Sequence, residues 1–269
     1  KLYVNFDRRI FGNPSAVNPS KHPHNVTIER CNIGALTYPN ATWGISLSGV
    51  YATTVRDCTV EQAHFGIDWV AGDYGFKYSG FTNATTLNGV SFNNCIVKKA
   101  TGHGIVVDGG VELFTETSEN FVTFNDCNVT GPSTEAALSG STIYGVLLDR
   151  ARHVEFRNTV VKGFQWGVYC RTNVQNITFA GGVISDNRQL GAVINRSDTK
   201  HITFDGVSFE RNGWGAAGGA YGISISDGSY TVVKNCNFGD TITQDTIQEL
   251  SIRIQQPAIH TTLINNHVS

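Results

Sequence analysis

The sequence predicts an all-β solenoid of short strands, and two recurring phrases are the observations that predict it. One phrase is Gly, an apolar residue, a variable residue and a second apolar residue, and it begins at Gly44, Gly66, Gly104, Gly145, Gly167, Gly191 and Gly222. The other phrase has six positions: an apolar residue, any residue, a residue that is usually Asn or Asp, Cys, any residue and a second apolar residue. Its cysteines are Cys31, Cys58, Cys95, Cys127 and Cys236.

The spacing of these phrases defines the repeating unit. Consecutive glycines of the first phrase are 22, 38, 41, 22, 24 and 31 residues apart, so a unit of 22 to 24 residues is sometimes lengthened by an insertion. The apolar runs are short and alternate with period two, which indicates strands. Three strands fit in one unit at about 3.3 Å per residue, and stacked units would lie about 4.8 Å apart. We therefore expect a single-stranded parallel β-helix of about eight to nine laps, each with three short strands.

The repeats also bear on domain organisation. They run from Val26 to Val268 and leave no place for a boundary, so we expect one β-helix domain over residues 1–269, with an irregular lead-in at 1–24 and laps over 25–269. The chain starts with Lys1 and stops within a strand pattern at Ser269, from which we expect a fragment of a longer chain. A formal net charge of −2 gives no general attraction to nucleic acid. No apolar stretch approaches the roughly 20 residues of a membrane span.

Two columns of side chains are expected to stack from lap to lap. The cysteines occupy one equivalent inward position of each lap, which suits small buried hydrophobic residues. The alternative is a disulfide bond between Cys95 and Cys127 on adjacent laps. A second column precedes each recurrent glycine, and its members are Trp43, Phe65, His103, Tyr144, Trp166, Leu190 and Tyr221. Because side chains alternate between the two faces of a strand, we expect this column to stack inside the solenoid. If the turn rotates the column outward, its alternative role is a platform on which sugars stack.

The outward residues of the third strand suggest a site. Because Ile105 and Val107 should point inward, Asp108 points outward, and Asp149 is its neighbour in the next lap. Two carboxylates so close should raise the pKa of one of them, which could then serve as a general acid. Arg171 would hold the second acid or bind an anionic sugar, and Tyr169 and Asp68 would contact substrate. The alternative is that both aspartates are strand-end caps or surface ion pairs.

Insertions next to the third strand could wall a groove over this face. They are Ala71 to Leu87, Gly109 to Glu119, Gly131 to Ile143 and Arg211 to Ala220. The acids Glu112, Glu116 and Glu155 are reserve candidates that loops or a neighbouring strand could bring to the groove. The aromatic segment 73–78 suits either a carbohydrate-stacking wall or a subunit contact.

The laps with Asn-rich turns resemble the pectate-lyase-like right-handed β-helix family, whose members include secreted polysaccharide lyases, epimerases, glycosidases and bacteriophage tailspikes. The Gly102-His103-Gly104 phrase is similar to a polygalacturonase motif, but the accompanying Asn-Thr-Asp and Asp-Asp motifs do not appear where they should. The calcium-binding acid cluster of pectate lyases and the Asp-Pro-His of alginate epimerases are missing too. The irregular insertions, low charge and Gly- and Ser-rich character look most like a tailspike.

The resemblance to a tailspike implies a function and a setting. It implies a homotrimer, extracellular in a virion tail or secreted, that binds and depolymerises bacterial capsule, O-antigen or exopolysaccharide, more as a glycosidase than as a lyase, with no cofactor and no metal. The other hypotheses are a non-catalytic glycan-binding or structural β-helix of an adhesin or virion, and a secreted polysaccharide lyase or epimerase.

Overall fold

A computed structural model describes residues 25–33, 43–48, 52–62, 65–70, 89–108, 122–132, 143–215, 221–239 and 250–268. The backbone of these residues forms short strands and turns, because their apolar positions alternate with period two. No helix in these ranges is long and apolar enough to cross a membrane.

The strands follow one another in laps. The first four laps contain β1 (Thr27–Glu29), β2 (Asn32–Ile33) and β3 (Trp43–Ser48); β4 (Thr53–Arg56), β5 (Thr59–Glu61) and β6 (Phe65–Val70); β7 (Val90–Asn93), β8 (Ile96–Lys98) and β9 (Ile105–Asp108); and β10 (Val122–Asn125), β11 (Asn128–Thr130) and β12 (Tyr144–Asp149). The next laps contain β13 (Arg152–Arg157), β14 (Val160–Lys162) and β15 (Trp166–Cys170); β16 (Gln175–Ala180), β17 (Val183–Ser185) and β18 (Leu190–Ile194); β19 (Thr199–Asp205), β20 (Ser208–Glu210) and β21 (Tyr221–Ile225); β22 (Gly228–Ser229), β23 (Val232–Lys234), β24 (Asn237–Gly239) and β25 (Leu250–Ile254); and β26 (Thr262–Ile264) and β27 (His267–Val268).

Equivalent strands of successive laps pair in parallel and form three sheets. The first sheet has the order β1-β4-β7-β10-β13-β16-β19-β23-β26, with β22 beside β19. The second sheet has the order β2-β5-β8-β11-β14-β17-β20-β24-β27, and the third β3-β6-β9-β12-β15-β18-β21-β25. The described residues therefore hold eight laps and two strands of a ninth. Seven of the eight laps have three strands, and the eighth has the short β22 in addition. The predicted right-handed parallel β-helix is confirmed.

The core lies inside the three sheets and consists of stacked columns. Phe92, Phe124, Phe156, Phe179 and Phe204 are register partners in the first sheet. Their rings stack with centroids 4.5 to 5.0 Å apart. This spacing is that of the laps themselves, so each ring of the column packs on the equivalent ring of the next lap.

The cysteine column is internal, as predicted. Cys58, Cys95, Cys127 and Cys236 are buried, and every cysteine of the chain is a free thiol. The residue before each of these cysteines has a positive φ of 51° to 55° and makes the sharp turn between the first and second sheets. Asn and Asp adopt this left-handed conformation more readily than other non-glycine residues, which explains why the phrase contains them.

Candidate functional site

The candidate site lies on the outer face of the third sheet, where β9 and β12 end. Ile105 and Val107 are buried in the core, while Val106 and Asp108 face outward and are half-buried. The register of β9 and β12 pairs Asp108 with Asp149. The structure therefore places the two predicted acids side by side on adjacent laps.

Arg150, which was not among the candidate site residues of the sequence, joins the two acids. Its φ of 52° turns the chain at the end of β12, and its side chain reaches the preceding lap. Nη2 of Arg150 donates hydrogen bonds to Oδ1 and Oδ2 of Asp108, at 2.9 and 3.1 Å. The same Nη2 is 3.4 Å from Oδ2 of Asp149. Because both carboxylates contact one nitrogen atom, Oδ1 of Asp108 and Oδ2 of Asp149 are no more than about 6.3 Å apart.

Asp149 is more buried than an outward position in a strand suggests. Its side chain is 11% exposed, against 18% for Asp108, and its Oδ1 atom is buried with no hydrogen-bond partner. Burial raises the pKa of Asp149, and the charge of Asp108 acts in the same direction. Arg150, Arg171 and the Thr172 hydroxyl oppose this rise in the pKa without cancelling it. The protonated form of Asp149 is thus favoured more than in a free aspartate.

The predicted substrate-binding residues lie on strands of the same sheet or directly after one. Arg171 follows β15, is 55% exposed, and places Nη1 3.5 Å from Oδ2 of Asp149. Tyr169 pairs with Leu147 in the register of β15 and β12, two residues before Asp149. Asp68 pairs with Val106 in the register of β6 and β9, which puts its backbone in the same column as Tyr169.

Of the reserve acids, Glu155 lies apart from this arrangement. Glu155 lies on β13 in the first sheet, where Nε and Nη2 of Arg157 donate hydrogen bonds of 2.7 Å to its two carboxylate oxygens. Glu112 and Glu116 lie outside the described residues, as does the aromatic segment 73–78. Of the four insertions expected to wall the groove, the structure describes only residues 131, 132, 143 and 211–215.

The described members of the column before the recurrent glycines face outward, so the prediction of internal stacking is wrong for them; they are His103, Tyr144, Trp166, Leu190 and Tyr221. In β15, Gly167 and Val168 are both buried, whereas Trp166 and Tyr169 on either side are half-buried. A Cβ atom on Gly145 would meet the core side chain of Val161, which shows that the glycine faces the core. Two successive inward residues reverse the alternation, and they turn the preceding ring to the outer face.

The described side chains hold no group of three or more His, Cys, Asp or Glu residues that could bind a metal ion. His103 belongs to the outward aromatic column: its ring stacks on Tyr144 with centroids 4.9 Å apart. Its Nδ1 accepts a hydrogen bond of 3.2 Å from the backbone N–H of Tyr144. This contact gives His103 a structural role at the corner of the lap.

The comparison with protein-family models agrees with this architecture. The family model described as the right-handed beta helix region matches residues 110–269, more than half of the chain. No curated protein matches the sequence. Among solved structures, the A-module of the mannuronan C-5 epimerase AlgE6 from Azotobacter vinelandii is similar, with 12% sequence identity and a TM-score of 0.39. That match covers 94% of this chain and 87% of the A-module.

Proposed function

This chain belongs to the right-handed β-helix family, and from that premise we propose that the acid pair of its third sheet hydrolyses glycosidic bonds of a polysaccharide. One observation carries the proposal. Two carboxylates occupy adjacent laps in different environments, one buried with a raised pKa and the other held by the guanidinium of Arg150. When two neighbouring carboxyl groups have such different environments, one can act as the proton donor while the other acts as the anion.

Asp149 suits the role of general acid. Its protonated carboxyl donates a proton to the glycosidic oxygen, and the leaving sugar departs as an alcohol. Asp108 suits the role of nucleophile, because hydrogen bonds from Arg150 to both of its oxygens orient a carboxylate. Asp108 bonds to the anomeric carbon and forms a covalent glycosyl intermediate. A water molecule, deprotonated by Asp149, then releases the sugar from Asp108.

The separation of the carboxylates is compatible with this retaining course. Retaining glycosidases hold their carboxyl groups about 5 to 5.5 Å apart, and inverting enzymes about 6.5 to 9.5 Å apart. The contacts with Arg150 limit one pair of oxygens, Oδ1 of Asp108 and Oδ2 of Asp149, to about 6.3 Å. If Asp108 is the nucleophile, the product keeps the anomeric configuration of the substrate.

Arg171, Tyr169 and Asp68 would bind the sugar units next to the scissile bond. Arg171 is more exposed than Asp108, Asp149 and Arg150 and contacts Asp149. It can therefore bind an acidic or hydroxylated sugar while it stabilises the Asp149 anion after proton transfer. Tyr169 offers a ring and a hydroxyl on the same face. Asp68 offers hydrogen-bond acceptors to sugar hydroxyls.

The test is incubation with purified capsular polysaccharides and lipopolysaccharides, followed by assays for new reducing ends and for the absorbance of unsaturated uronate. We expect new reducing ends without that absorbance, and a loss of about 10²-fold to 10⁴-fold in rate for Asp149→Asn and Asp108→Asn. Asp205→Asn is the matched control, since Asp205 pairs with Lys234 on the first sheet. If both site variants keep the wild-type rate, or if the product is an unsaturated uronate, the assignment is wrong.

A second function, glycan binding without cleavage, is favoured by the outward aromatic column. The ion pairs of Asp108 and Asp149 with Arg150 would then only tie adjacent laps together. Retention of a polysaccharide without any product in the reducing-end assay would support this function over hydrolysis.

The setting that we propose is an extracellular, tailspike-like homotrimer acting on a bacterial surface polysaccharide. The irregular insertions and the low charge of the sequence support it. Light scattering coupled to size-exclusion chromatography measures the number of subunits directly, and a monomer at micromolar concentration would contradict the trimer.

A further inference from the structure

We infer that Tyr144, Trp166 and Tyr169 form a binding subsite for one pyranose ring of the same glycan, named here the aromatic subsite. The inference rests on the proposed function, because it places this sugar next to the bond that the acid pair cleaves. The sequence predicted a substrate contact for Tyr169, but it favoured an internal position for Tyr144 and Trp166 and kept a sugar-stacking role for them only as the alternative.

The three rings form one cluster on the outer face of the third sheet. The centroids of Tyr144 and Tyr169 are 4.8 Å apart, and those of Trp166 and Tyr169 are 5.1 Å apart with the rings nearly perpendicular. The centroids of Tyr144 and Trp166 are 5.4 Å apart. All three side chains are half-buried, so each keeps part of its surface open to solvent.

The cluster is held in place by its neighbours. Nε1 of Trp166 donates a hydrogen bond of 2.6 Å to Oε1 of Gln189, and the backbone N–H of Tyr144 donates one to Nδ1 of His103. The backbones of Tyr144, Trp166 and Tyr169 belong to paired strands. A ligand that contacts these rings therefore loses little affinity to the ordering of loose side chains.

The aromatic subsite is continuous with the acid pair. Tyr169 pairs with Leu147, which precedes Asp149 by two residues, or about 7 Å along an extended strand. Tyr144 begins the same strand, about 17 Å from Asp149 by the same measure. Burial and the neighbouring Tyr169 raise the pKa of the Tyr144 hydroxyl, and the charge of Arg171, which contacts Asp149, lies near enough to act in the opposite direction. A chain molecule bound at the acids would pass over the rings.

The chemistry of the surface favours a sugar over a protein partner. Leu147 and Val193, the aliphatic residues beside Tyr169 on this face, are already 8% and 4% exposed. Among the described residues beside Tyr169, the open apolar surface is therefore mainly that of the rings, and three half-buried rings expose less than the roughly 800 Å² that each partner of a standard protein interface buries. A pyranose presents an apolar C–H face that fits one aromatic ring and hydroxyls that can bond to Arg171 and the tyrosine hydroxyls.

Binding measured without turnover tests the aromatic subsite apart from catalysis. In an Asp149→Asn background, calorimetric titrations would use purified capsular polysaccharides, lipopolysaccharide O-chains, polygalacturonate, alginate and dextran. For a glycan that binds, we expect Trp166→Ala and Tyr169→Ala each to weaken affinity about tenfold, since an aromatic contact contributes on that order. Tyr169→Leu keeps apolar volume without a ring and should lose as much, while Tyr169→Phe should keep most of the affinity.

Tyr230→Ala is the matched control. Tyr230 is 46% exposed, and its ring stacks between His201 and His260, with centroids 4.9 and 4.7 Å away, beside the first sheet. We expect the Tyr230→Ala variant to bind the glycan with unchanged affinity. Trp166 fluorescence provides a second readout: the change that a bound glycan causes in the Asp149→Asn protein should disappear when Trp166→Phe is added.

The outcomes separate this inference from the proposed function. If Trp166→Ala and Tyr169→Ala fold and bind like their parent, the aromatic subsite is wrong, even where Asp149→Asn abolishes cleavage. If they lose affinity while the wild type cleaves no glycan that it binds, the subsite stands and hydrolysis is wrong. If no glycan of the panel binds, both the aromatic subsite and the proposed function are wrong.

Discussion

Replacing Gly145 with alanine tests the corner geometry that turns the aromatic column outward. The added Cβ would clash with Cγ1 of Val161 and lie 2.6 Å from the carbonyl oxygen of Gly167 in the next lap. Ordinary contacts between such atoms are about 3.5 Å or longer. The oxygen belongs to the paired backbone of the next lap, so the clash is relieved only if the laps move apart. We expect Gly145→Ala to lower the free energy of unfolding by about 1 to 3 kcal/mol, the usual cost of overpacking.

The assay is urea denaturation followed by circular dichroism, with Gly206→Ala as the reference. Gly206 has a φ of +68°, and no atom lies within 4 Å of its added Cβ, so that variant reports the cost of a left-handed alanine alone, about 1 to 2 kcal/mol. Adding Val161→Ala to Gly145→Ala removes one clashing atom and should recover about 1 kcal/mol in a double-mutant cycle. If the cycle shows no coupling between Gly145 and Val161, the glycine does not face the core and the outward placement of Tyr144 is wrong.

Two further predictions concern titratable groups. Because the folded state raises the pKa of Asp149, the stability from its protonated form is present below the ordinary aspartate pKa and is lost as the pH rises through the raised value. The free energy of unfolding of the wild type relative to Asp149→Asn should therefore fall across that window in urea titrations at successive pH values; a constant difference would contradict the raised pKa. Burial raises the pKa of Cys58 to about 11 and that of Cys170 to about 12, so at pH 8 iodoacetamide should label them far more slowly than half-buried Cys31. Peptide mass spectrometry measures the labelling rates, and equal rates in the folded protein would show that these thiols are not enclosed.

The repeat was sufficient to predict the fold, because in a solenoid the same position of each unit contacts itself. Cys95 and Cys127 could be placed inside, and Asp108 beside Asp149, by counting residues from the recurrent glycine. Period two holds along each strand, so a residue's face follows from its distance to a buried neighbour. The counting failed at Gly145 and Gly167, where two inward residues in succession reverse the alternation.

The composition of the candidate site could be predicted only in part. Arg150 was visible as the residue after Asp149, but its link to Asp108 depends on a backbone φ of 52° that sends the side chain to the preceding lap. The burial of Asp149 could not be predicted either. The alternation along a strand predicts which face a side chain takes, whereas the burial and the pKa of that side chain depend on every group packed around it.

The sequence by itself therefore determined the period, the three strands of each lap, the interior columns and the pairing of the two acids, because all of these follow from spacing along a repeating chain. Only the tertiary structure decided which way the aromatic column faces, which cation joins the acids, and how far Asp149 is removed from water. These properties arise from contacts between laps, where a local turn angle and the volume of neighbouring side chains outweigh the alternation of a single strand.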